Sequence, residues 1–85
     1  MNQNLKNKIR DDFGDGEFDD VLRELKSVTL RHVMANSQLN LDRTLAAIVQ
    51  LSKGDITELR KLVQIARLDF RDVILQASQE LDDYE

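Results

Sequence analysis

The stretch "NLDRTLAAIVQLSKGDITE", Asn40 to Glu58, decides how the chain is read. Leu41, Leu45, Ile48 and Ser52 fall at spacings of three and four, which places them on one side of an α-helix. Asn40 or Asp42 is a suitable cap for its start. Gly54 supplies the left-handed residue that commonly follows a helix end. Asp55 then restarts the pattern. Its carboxylate can accept from the first free N–H groups of a new helix, with Glu58 three residues on in capping-box position. One helix, its end and the next beginning are therefore legible within nineteen residues.

The same period extends in both directions. Downstream, Ile56, Leu59, Leu62, Val63 and Ala66 form an apolar face. Phe70, Val73, Ile74, Ala77, Leu81 and Tyr84 form another that is out of line with it at a straight 3.6 period. A break at Arg67–Asp69 is therefore expected, with Asp69 as the cap of a last helix. Upstream, Phe18, Val21, Leu22, Leu25, Val28 and His32 make a stripe from which Leu30, Val33 and Met34 depart. That helix is expected either to be buried on two faces or to distort near residue 30. Leu5, Ile9 and Phe13 are spaced by four, but three apolar residues are a small anchor. Residues 1–14 are expected as a loosely packed arm or short amphipathic helix, ahead of a helical domain over 15–85.

Composition agrees with an all-α fold, a small compact bundle of three to five helices. Proline is absent and the three glycines cluster at two places, so helix breakers are few. Eighty-five residues suffice for one domain. There is no cysteine, which excludes disulfides, thiolate metal sites and a thiol nucleophile. With no such staples, and with no apolar core following Lys6, Lys8 and Arg10, a cytoplasmic protein without a signal peptide is expected. No apolar run approaches membrane-spanning length.

The net charge of −4 is unevenly spread. Residues 11–20, "DDFGDGEFDD", carry six acids, and residues 80–85 carry four. Residues 21–79 hold nine Lys and Arg against six acids. The acidic total argues against nucleic acid and anionic membranes as partners. The acidic stretch fails as a calcium loop. With Gly16 in the glycine position, Phe13 and Leu22 occupy the places of the third ligand and the closing bidentate Glu. It reads instead as a hinge and helix start, where acids complement the free N–H groups.

Other constellations were weighed by the chemistry they would need. His32, the only histidine, is followed by Ala35 and Asn36, where phosphotransfer bundles carry Lys and Gly. Glu17/Asp20 and Asp69/Asp72 have the spacing of the magnesium-binding pairs of helical pyrophosphohydrolases, yet both lie at predicted helix starts. "ELRKLVQIARLDFRDVI", Glu58 to Ile74, resembles a helix–turn–helix in its apolar spacing. The resemblance implies a turn near Gln64 and a DNA-reading helix from Phe70. Arg60 stands where that motif wants a small residue, Gln64 where it wants glycine, and Asp69 and Asp72 would meet phosphates.

The sequence thus points to a non-catalytic protein–protein interaction module that uses no cofactor, metal or small-molecule substrate. Its expected partner is a protein or a second copy of itself. The alternative is a DNA-binding regulator using residues 58–76. The candidate interface combines apolar residues beyond one stripe per helix, Leu30, Val33 and Met34, with the basic cluster Arg60, Lys61, Arg67 and Arg71.

Overall fold

The computed structural model describes residues 2–33 and 37–82, with side chains through residue 80. Five α-helices follow one another: α1 (Gln3–Phe13), α2 (Asp15–Lys26), α3 (Gln38–Ser52), α4 (Ile56–Leu68) and α5 (Phe70–Asp82). A single 3-10 turn, Leu30–His32, lies between α2 and α3. There is no strand among the described residues. The radius of gyration is 12.0 Å, the value expected of a compact chain of this length, about 12 Å.

Helix α3 packs against α1, α4 and α5, and α4 also meets α2 and α5. Ile48, Val49, Leu59, Val63 and Val73 are fully buried where these helices meet. Two polar links tie α3 to α5: Gln50 Nε2 donates to the Ala77 carbonyl at 3.2 Å, and Lys53 Nζ lies 3.4 Å from Glu80 Oε2. Ser52 is buried without penalty because its hydroxyl donates to the Ile48 carbonyl.

The expected junctions around Gly54 and Asp69 are present. Asp55 accepts from the N–H groups of Thr57 and Glu58 at 2.9 and 3.3 Å, and α4 ends at Leu68, one residue before Asp69. Gly54 has φ +81°, and a Cβ there would lie 2.5 Å from the Asp12 carbonyl oxygen. The α3–α4 turn therefore closes on the end of α1 only because residue 54 has no side chain. Two details differ from the expectation. Lys53 also enters the left-handed region, with φ 50°. Helix α3 is capped by Ser37, whose Oγ accepts from Asn40 N at 3.2 Å, so it begins a turn earlier than a cap at Asn40 or Asp42 implies.

Three larger findings concern the first half. Of the two expectations for residues 1–14 the short amphipathic helix forms, as α1, but it is not loosely packed: Leu5, Ile9 and Phe13 all join the core, Ile9 at 0% exposure. Three anchors hold because α2 and α3 both cover them. Next, α2 starts at Asp15 rather than near Phe18. The acidic stretch is thus two helix ends around Gly14, not a loop. Finally, of the two alternatives for the long first helix, it is the break near residue 30 that occurs, and the helix does not reach His32. It ends at Lys26, where Ser27 Oγ donates to the Glu24 carbonyl at 2.7 Å. Helical spacing persists for one more apolar residue because Val28 N–H still bonds the Leu25 carbonyl at 3.1 Å. Thr29 is then extended, at φ −122° and ψ 174°. No helix among the described residues is long and apolar enough to cross a membrane.

Candidate functional site

The break after α2 builds the most distinctive surface of the molecule. Residues Val28–Val33 form a ridge held by local bonds. Val28 is turned into the core and Val33 is buried, at 5% exposure. Between them, His32 fastens the turn to itself: its Nδ1 accepts from Thr29 N–H at 2.9 Å. An accepting Nδ1 leaves the neutral ring's proton on Nε2. Partial burial lowers the pKa of His32 from its usual value, and the positive charges of Arg67 and Arg31 lower it further.

A cleft opens on each side of this ridge. The larger, about 450 Å³, has an apolar floor of Leu25, Val28, Leu41 and Leu45 and a mixed charged rim of Lys26, Arg31 and Asp42. Leu30 stands at its edge, 38% exposed. The smaller, about 330 Å³, lies between the ridge and the α4–α5 corner. It is lined by Arg31, His32, Val33, Leu68, Asp69, Phe70 and Arg71. Leu68 is 90% exposed. Asp69 has extended backbone, φ −154°, and its carboxylate accepts from Arg71 N at 3.1 Å and Arg71 Nε at 3.2 Å. Those bonds to Arg71 hold the Asp69 carboxyl below the ordinary carboxylate range.

The residues singled out from sequence are only partly brought together. Arg71 lines the cleft beside the ridge, and Arg67 is close enough to act on His32. Arg60 turns instead to α2, with Nε 3.3 Å from Glu24 Oε1, and Lys61 pairs along its own helix with Glu58 at 3.7 Å. The acidic residues 11–20 are engaged locally: Asp12 with Lys8 at 3.0 Å, Asp15 with Arg10 and Asp20 with Arg23, each at 3.8 Å. The basic cluster and the acidic stretch therefore form no ion pair with each other among the described residues. Val33 belongs to the interior, and Met34 lies outside the described residues. Phe70 enters the sequence reading as part of the α5 stripe and as the start of the implied DNA-reading helix, and Leu68 has no place in it. Leu68 stands off the apolar face of α4, a signal that could have marked it as outward-facing.

The turn implied by the helix–turn–helix resemblance does not form. Gln64 lies inside α4, which continues to Leu68, and a single residue separates it from α5. Nor are the carboxylate pairs assembled: among the described residues no group of three or more His, Asp or Glu could hold a metal ion. No protein-family model, curated protein or solved structure matches the chain.

Proposed function

We propose that this chain is a non-catalytic, cytoplasmic protein–protein interaction module, and that it takes its partner at the α4–α5 corner beside the Leu30–His32 turn. One observation carries the reading. Leu68, at 90% exposure, stands at the mouth of a cleft whose wall includes Phe70 and Val33, while the core is closed without it. Arginine and aromatic side chains are enriched at protein interfaces, and an exposed large aliphatic side chain beside them adds apolar area that a partner can cover.

The test is site-specific photocrosslinking in cells that naturally contain the protein. A photoreactive residue is placed at position 68, with Lys6, a partly exposed residue of α1, as control position. A discrete crosslinked protein from position 68, and none from position 6, is the expected result. Equal labelling from both positions, or none from either, overturns the reading. Sedimentation equilibrium at tens of micromolar then decides whether the partner is a second copy. A charge placed at Val33 is a poor probe, because that side chain is part of the interior.

A further inference from the structure

The charges around the smaller cleft say what kind of partner segment suits it. Most cations with a described neighbour of opposite sign are spent on it: Lys8, Arg10, Arg23, Lys53, Arg60 and Lys61 all pair with carboxylates. Lys6, Lys26, Arg31, Arg43 and Arg67 have no such pair among the described residues; of these Arg31 lines the cleft and Arg67 precedes its Leu68, and both arginines are exposed. They come from different elements, the turn and α4, and both act on His32 between them. Arg71 adds a third guanidinium, shared with Asp69. The cleft wall thus carries two arginines, Arg31 and Arg71, against one carboxylate, and Arg67 lies next to it, close enough to His32 to act on it. Its apolar part is Leu68, Phe70 and Val33. A volume of about 330 Å³ is at the low end of ligand pockets, roughly 300–1,000 Å³, which suits an anchoring side chain better than a large cofactor.

We infer that this cleft is a docking site for an acidic peptide segment of another protein, with Leu68 and Phe70 seating one large apolar side chain of that segment and Arg31 and Arg67 pairing with its carboxylates. The inference rests on the interaction reading above and narrows it to one partner chemistry. Guanidinium–carboxylate pairs across an exposed rim are charge-assisted and salt-sensitive, so they add orientation to an apolar anchor. A nucleic acid would meet the same arginines. It would also meet the Asp69 carboxylate, and Leu68 offers nothing to a phosphate backbone.

The experiment uses the full chain and fluorescent ten-residue peptides. In the first panel, Asp or Glu alternates with Leu, Ile, Phe or Tyr. A second panel replaces the acids with Ser and a third replaces them with Lys; labelled duplex DNA is a further arm. Acidic–apolar members are expected to bind and to weaken as salt is raised, and the other panels are not. Arg31→Glu with Arg67→Glu, and separately Leu68→Ser, should each weaken binding by roughly tenfold or more, with unchanged helical circular dichroism. Failure of every acidic peptide, or binding that both variants leave intact, overturns the inference. DNA binding lost in the arginine variant overturns it in favour of a nucleic-acid surface. If crosslinking from position 68 succeeds while the acidic panel fails, the interaction reading stands and this partner chemistry is wrong.

Discussion

Two corners of the molecule turn one helix into the next through a single residue, and they do it by opposite means. At the α1–α2 corner the residue is Gly14, with φ 78° and ψ 169° and no side-chain cap. At the α4–α5 corner it is Asp69, in ordinary extended backbone with its carboxylate on Arg71. The first corner is held by contacts on both sides of the glycine. Arg10 lies 4.3 Å above the Phe18 ring and 3.8 Å from Asp15, and Phe13 is buried beside the glycine. The second is left open, with Leu68 in solvent and a cleft beside it. Both corners pair their arginine with a carboxylate and half-bury an aromatic residue; the second alone leaves a large aliphatic side chain, Leu68, in solvent. A helix junction becomes a candidate binding surface when the side chains around it are not needed to hold the corner shut.

Breaking the first corner should have the larger effect. The backbone of Gly14 lies in a region that essentially only glycine occupies. A Cβ there meets nothing within 4 Å, so the cost is conformational rather than steric. Gly14→Ala is expected to destabilise the fold by about 1–3 kcal/mol. Urea unfolding followed by circular dichroism should show a lower midpoint with little change in slope. An unchanged midpoint would mean that α1 and α2 can meet in another way.

The second corner should yield less. Asp69→Ala removes the acceptor for Arg71 N–H, and Asp69→Asn keeps one. Thermal unfolding is expected to fall by a few degrees for alanine and by less for asparagine. The expected loss is confined to the junction, so amide exchange should speed up at Arg71 and Asp72 while the α1–α2 corner is unaffected. Equal losses for the two variants would argue that charge, not capping, holds this corner.

The smallest effect is a pH dependence of the ridge that faces the second corner. Free histidine titrates near 6.5, and His32 is held lower by partial burial and by Arg67 and Arg31. Asp69 and Arg71 line the same cleft. The unfolded chain therefore takes up the proton first as pH falls. The contribution of His32 is complete above 6.5 and is lost as pH drops through the lowered value. Protonation of Nδ1 would also remove the acceptor for Thr29 N–H. Between pH 7 and 5 the melting temperature of the wild type should decline more than that of His32→Asn, which cannot titrate. Parallel curves would show that the ring contributes nothing through its charge state.

Much of the architecture was open to a reading of the residues, because it is written in local chemistry. Gly54, Asp55 and Asp69 act through their own backbone or their near neighbours, so their roles at helix ends follow from residue type and position. The stripe Leu59, Leu62, Val63 and Ala66 needs only a 3.6-residue period. The candidate site was less legible. Arg67 and Arg71 could be picked out as basic residues, but not separated from Arg60 and Lys61, since nothing local says that Arg60 meets Glu24 thirty-six positions away.

What the sequence determined by itself was an all-helical chain, its breaks at Gly54 and before Phe70, and the residues able to form a core. These depend on propensity, capping and periodicity, which act over a few residues. Tertiary structure decided the rest. Leu5, Ile9 and Phe13 became core because α2 and α3 close over them, although three apolar residues alone are a weak anchor. The stripe of α2 stopped at Lys26 because the chain must turn there to begin α3, and burial of Val28 and Val33 offsets the lost helical bonds. Leu68 stays in water, as its place off the apolar face of α4 indicates, but Val33 was taken out of water although it departs from the stripe of α2. That burial rests on which surfaces meet when five helices pack, and no spacing within a single helix carries that information.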